Sequence, residues 1–364
     1  LKPGSSPMSL FRSTAVLAVA VSVTPAHAGQ SYDVGVREIQ LATSERGRDL
    51  QVTIWYPSAG GGKTVPVGDN RVFKGAPAVI DAAQATGSFP LVVLSHGSGS
   101  RVLAMGWLAS ELAWAGFVVA GPDHPGTTSG DSTPADTPKI WQRTGDLSTV
   151  IDGLTADPAW SAIVDKDRIG VVGFSLGGAA AMEIAGARAS LEDYARYCDS
   201  YTKWDCAWFA GGVGYRNDAR IKVEKVNLRA IDKTRFEQSN LDSRVKSAVL
   251  VDPGLAQAYD KRSLAAIAIP MSFINLGDAG TIPPGIIADR LAALVPQGTY
   301  ASIAGATHFS FLPECKEGAA DLLKSEGEVD PICDDGADRP RAEIHGEATK
   351  RIVEALQRTL KDRP

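Results

Sequence analysis

Histidine is scarce in this sequence, with five in 364 residues. One of them, His27, falls in an N-terminal leader, so chemistry that needs an imidazole must draw on His96, His124, His308 or His345. Cysteine is scarcer still. The four present lack a CxxC-like spacing and have no histidine beside them, which weighs against a zinc site. No sign of charge dominates either: the formal net charge is -5, and Lys and Arg are scattered, so no basic stripe invites nucleic acid. No apolar run reaches the roughly 20 residues that span a bilayer, and a transmembrane anchor is not expected. Fibrous, collagenous and repeat patterns are absent. What remains is a composition of 44% apolar and 22% charged residues, ordinary for a soluble globular chain, with length enough for one large α/β core.

The N-terminus reads as an address. A short basic region from Met8 to Arg12, an apolar run from Ala15 to Val23 and the small-residue pattern Ala26-His27-Ala28 predict a signal peptide cleaved after Ala28. Leu1 to Pro7 precede the initiator-like Met8 and are set aside. A periplasmic or secreted location follows, and with it an oxidising compartment in which cysteines pair. Cys198 and Cys206 share one irregular segment, and Cys315 and Cys333 another, so two local disulfides are expected.

One catalytic domain is predicted over residues 29–364. Alternation from Tyr32 to Pro57 suggests an antiparallel hairpin. From Pro90 onward come short continuous apolar runs, Leu91–Leu94, Phe117–Ala120, Ile169–Val172, Ala248–Val251, Met271–Leu276 and Tyr300–Ile303, which suit strands buried on both faces of a parallel sheet. Helical spacing from Leu103 to Ala115, and again from about Arg341 to Leu360, places helices between and after them. The expected class is therefore α/β, a mostly parallel central sheet with helices on both faces. Ser190 to Arg244, rich in Tyr, Trp and charged residues, reads as an insertion over the strand tops and a partial lid.

Gly173-Phe174-Ser175-Leu176-Gly177 follows an apolar strand and precedes a small-residue helical run. That is the context of a nucleophile elbow, in which a strained turn lifts a serine hydroxyl above the sheet. A serine needs a base. His308 follows the last predicted strand by a few residues and is the expected one. The oxyanion of acyl transfer needs preorganised N–H donors, expected from Leu176, directly after the nucleophile, and from Ser98 in the loop Ser95-His96-Gly97-Ser98-Gly99. His96 is read as orienting that loop.

The runs VVLSHGSGS, FVVAGPDHPGTTSGD, VVGFSLGG and ATHFSF resemble bacterial relatives of platelet-activating-factor acetylhydrolase, often grouped as predicted dienelactone hydrolases, over most of Tyr32 to Leu360. The resemblance implies an α/β-hydrolase fold, a Ser-His-Asp triad and no metal or organic cofactor. True dienelactone hydrolases use a cysteine nucleophile, so that substrate label does not carry over to Ser175. In the acetylhydrolase relatives the acid directly follows a strand, which here gives Asp252. Many other α/β-hydrolases place it after the next strand, where Asp278 is the alternative, two positions early. The expected activity is hydrolysis of a small-molecule or lipid-like carboxylic ester. Amidase, peptidase or lactonase chemistry would use the same triad, and an inactive binding protein is the remaining alternative. Oligomeric state is left open.

Overall fold

The computed structural model describes Leu1 and residues 32–336 and 339–361. The leader and its cleavage point lie outside the described residues. The Asp33–Leu41 and Leu50–Ser58 strands form the expected antiparallel hairpin, and the second of them pairs antiparallel with Val118–Pro122. From there the sheet runs parallel through Phe89–Ser95, Val164–Phe174, Val245–Val251, Met271–Leu276 and Gly298–Ile303. Two short strands, Thr64–Val67 and Ala76–Ile80, extend the other edge and bring the sheet to ten strands.

Successive residues of a strand face opposite sides of a sheet, and the core divides accordingly. Leu91, Val93, Ile169 and Val171 pack with the Ile140–Ala156 and Leu176–Ile184 helices on one face. Val92, Leu94, Val172 and Val249 pack with Gly106–Trp114 and Arg341–Leu356 on the other. Both faces are thus covered for the strands from Phe89–Ser95 to Met271–Leu276, which is why these read as unbroken apolar runs. The last strand, Gly298–Ile303, differs from the expectation, because it lies at the sheet edge and is mostly exposed, with Ile303 buried. The predicted helix from Leu103 divides into a 3-10 turn, Val102–Met105, and an α-helix from Gly106. The last helix keeps α geometry to Leu356 and closes in a π turn, Gln357–Lys361.

The segment from Ser190 to Arg244 leaves the sheet and builds the Leu191–Ser200 helix, the Asp205–Trp208 turn and a hairpin, Gly212–Arg216 with Ala219–Val223. That hairpin joins Thr127–Thr128 and Asp131–Ser132 in a second, four-stranded sheet, and Arg216 ties it down by ion pairs to Asp131 and Asp136. Disulfides link Cys198 to Cys206 and Cys315 to Cys333, eight and eighteen residues apart in sequence.

Candidate active site

The C-terminal ends of four adjacent parallel strands converge on one point, and the first, second and fourth of them, Val164–Phe174, Val245–Val251 and Gly298–Ile303, lead into the residues of the site. Ser175 follows the Val164–Phe174 strand and caps the Leu176–Ile184 helix with φ 55° and ψ -122°, a backbone region unfavourable for a side-chain-bearing residue. Neighbouring contacts over-determine this turn. Ser175 N–H donates to the Val251 carbonyl (3.0 Å), and its own carbonyl accepts from Gly254 N–H (2.8 Å). A Cβ on Gly173 would overlap the Gly177 carbonyl, and one on Gly177 would overlap the Ser95 carbonyl, so both positions demand glycine for close approach.

Asp252 directly follows the Val245–Val251 strand and is fully buried. Its Oδ1 accepts from Asn275 Nδ2 (2.8 Å) and from the Leu276 N–H (2.9 Å), while Oδ2 lies 2.9 Å from His308 Nδ1. His308 opens the 3-10 turn His308–Phe311, which Thr307 and Ser310 cap reciprocally. Its Nε2 lies 3.1 Å from Ser175 Oγ. Because Nδ1–H donates to a carboxylate, Nε2 is left as the acceptor for the serine hydroxyl. The alternative acid, Asp278, is engaged elsewhere: its Oδ2 accepts from Gly305 N–H at 3.3 Å.

The Ser95–Gly99 loop passes beside the elbow. A Cβ at Gly97 would stand 3.4 Å from Ser175 Cβ and against the Phe174 ring, with Ser98 next in sequence and exposed. Leu176 opens its helix, where the first N–H groups have no intrahelical acceptor and carry the positive end of the helix dipole. His96 faces the interior, as its loop-orienting reading requires. Aromatic rings frame His308: Phe174 stacks on it at 4.7 Å, and Trp204 meets it edge-on at 6.1 Å.

Trp204 separates from the other aromatics of the insertion. Tyr194 is buried and Trp208 donates from Nε1 to Thr137 Oγ1, so both pack the insertion onto the body. Trp204 instead remains 45% exposed, stacked on Phe309 at 6.0 Å beside the site. Sequence reasoning did not single out Trp204 from its neighbours, nor Asn275 as the support of Asp252. The second carried a signal, since Asn275 is a polar residue inside the apolar Met271–Leu276 run and is fully buried.

A family model described as PET hydrolase-like matches residues 53–206, which include the Ser95–Gly99 loop, Ser175 and Trp204 but not Asp252 or His308. A solved ferulic acid esterase from Streptomyces cinnamoneus superposes with a TM-score of 0.59 at 20% identity, covering 94% of this chain and 93% of that one. The chain has the α/β-hydrolase fold. The chain is also 31% identical over 120 residues to a bis(hydroxyethyl) terephthalate hydrolase of Streptomyces coelicolor (strain ATCC BAA-471 / A3(2) / M145). That match spans 33% of this chain and 36% of the relative, about a third of each.

Proposed function

We propose that this α/β-hydrolase is an exported serine esterase that cleaves carboxylic esters with an aromatic acyl group. The observation that carries the reading is the continuous chain Ser175 Oγ, His308 and Asp252, at 3.1 and 2.9 Å, beside the open ring of Trp204. His308 takes the Ser175 proton as Oγ attacks the ester carbonyl. Asp252, held by two further N–H donors, keeps the imidazole in the competent tautomer and stabilises its cation. The carbonyl oxygen gathers charge against the N–H groups of Leu176 and Ser98, the alcohol leaves with the proton from His308, and water then cleaves the acyl-enzyme by the same route.

The aromatic acyl preference rests on Trp204 and on the relatives, whose names point to terephthalate and ferulate esters. A flat exposed ring next to the base offers offset or edge contact to such a group. Export is supported by the leader pattern and by the two disulfides. Hydrolysis of esters and amides with matched aromatic and aliphatic acyl groups on one alcohol or amine tests the reading. Esters with the aromatic acyl group should be the best substrates, a fluorophosphonate should label Ser175, and Trp204→Ala should raise KM for them by about tenfold while leaving the acetate of the same alcohol little changed. Labelling at another residue, or an amide preference, would overturn it.

A further inference from the structure

Behind the Ser95–Gly99 loop lies a buried polar cluster that the mechanism above does not use. Its centre is Arg143, on the Ile140–Ala156 helix and 1% exposed. Among the described hydrogen bonds its guanidinium meets no carboxylate. It donates from Nη1 to the His96 carbonyl (2.7 Å) and to Ser95 Oγ (3.2 Å), from Nε to Thr127 Oγ1 (3.0 Å), and from Nη2 toward the Gly97 carbonyl (3.5 Å). The His96 ring completes the arrangement. Its Nε2 accepts from His124 N–H at 3.1 Å, so Nδ1 carries the proton and donates to the Gly97 carbonyl at 2.7 Å. Burial, followed by the Arg143 charge, holds His96 and His124 well below the usual histidine range, so both rings stay neutral beside the guanidinium.

A buried cation is costly, and here it is directed at main-chain carbonyls. What those bonds fix is the direction of two peptide planes. In a trans peptide the C=O of one residue and the N–H of the next point opposite ways. Holding the His96 and Gly97 carbonyls inward therefore turns the N–H groups of Gly97 and Ser98 outward, on the loop that passes beside Ser175. We propose that Arg143 is a positioning residue for the oxyanion site: by holding the His96 and Gly97 carbonyls it aims the Gly97 and Ser98 N–H groups at the oxygen of the attacked ester. The proposal rests on Ser175 as the nucleophile.

The test compares Arg143→Met and Arg143→Lys in the full chain, using an ester with an aromatic acyl group and an aryl trifluoromethyl ketone. Serine addition to the ketone creates an oxyanion without turnover. Loss of an oxyanion donor costs about 10²–10³ in kcat, and misaiming it should cost about 10–10² in Arg143→Met, with KM within about threefold. Ketone affinity should fall by the same factor as kcat/KM. Arg143→Lys, which keeps the charge and part of the reach, should recover a good part of both. If the methionine variant does not fold, the lysine variant decides, with a fall of about three- to tenfold in kcat and in ketone affinity together. A folded variant with wild-type kcat and ketone affinity, or one in which only KM changes, overturns the positioning role. Activity surviving in Ser175→Ala would instead overturn the nucleophile assignment, whatever Arg143 does.

Discussion

Two chains of serine, histidine and aspartate run through this α/β-hydrolase fold, and their bonding is nearly the same. Ser175, His308 and Asp252 connect at 3.1 and 2.9 Å; Ser95, His124 and Asp146 connect at 2.9 and 2.8 Å. In both, the ring donates Nδ1–H to a carboxylate and presents Nε2 to a hydroxyl. What separates them is access and charge. All three side chains of the second set are buried, and Ser95 Oγ is already taken by Arg143. A general base must also become a cation in the transition state. Beside His124 stand the Arg143 and Arg46 guanidiniums, which with burial oppose that charge. Ser175 sits on a strained turn, partly open, and the His308 ring beside it is framed by aromatic rings. Composition and hydrogen bonding alone do not make a nucleophile.

The sharpest way to break this comparison is at the two serines. Ser175→Ala should cost about 10⁶ in kcat with an unchanged melting temperature. Ser95→Ala leaves His124 Nε2 buried and unpaired, so it should cost about 1–3 kcal/mol of stability, and its loss in kcat should be no larger than that of the Arg143 variants. Steady-state kinetics beside thermal melts measure both. The roles of the two chains would be exchanged if the Ser95 variant were dead and the Ser175 variant active.

The next largest effect comes from the acids. Asp252→Asn should lose about 10⁴ in kcat, because the ring is then held in the wrong tautomer. Asp278→Asn should keep most of its activity, since that carboxylate accepts from Gly305 N–H and not from the imidazole. Equal losses in the two variants would mean that Asp278 also serves His308. Asp146→Asn belongs to the other chain and should show the opposite signature. Asp146 accepts from Arg46 Nε and Nη2 (2.8 and 2.5 Å) and from His124, so breaking this buried set should cost about 3–5 kcal/mol in denaturant melts, with a modest change in the kcat of the folded fraction.

The first chain could be read from the sequence because its parts carry local signatures. Gly173 and Gly177 surround Ser175 at a strand-to-helix junction, and His308 is one of few histidines and follows a strand. The apolar runs located the parallel strands because burial on both faces leaves no polar alternation to obscure them. Thr64–Val67 and Ala76–Ile80 went unread, being four and five residues long and carrying prolines that weaken a strand pattern. The second chain has no local signature at all. Ser95 ends one strand, His124 follows another and Asp146 lies on a helix, so only the tertiary fold brings them together. The acid stayed ambiguous for the same reason: two aspartates each follow a strand, and the geometry at His308 is a long-range property.

The smallest effect concerns acid stability and the histidines outside the site. His345 stacks on Trp107 at 3.8 Å, and its Nε2 lies 3.0 Å from the Ser310 and Leu312 carbonyls. Burial, then the Arg341 charge, lowers its pKa to about 4. A histidine depressed in the fold binds fewer protons there than in the unfolded chain. Its contribution is therefore complete above the unfolded value near 6.5 and is lost as pH falls from there toward 4. His96 and His124 shift in the same direction. Glu183 opposes them: burial raises its pKa to about 8, so the fold takes up a proton that the unfolded chain releases, and stability rises as pH falls toward 4.5. The three histidines thus lose stability as pH falls below 6.5, while Glu183, and with it Asp123, Asp146, Asp205 and Asp330, whose carboxyls burial also raises, works in the opposite direction. His345→Gln, which keeps a donor for the two carbonyls, should remove about 2 kcal/mol of the stability difference between pH 7.5 and 5. Glu183→Gln should make the same acid loss steeper. Urea melts at the two pH values measure both, and a pH dependence untouched by either substitution would place the acid sensitivity at the buried His96 and His124 instead.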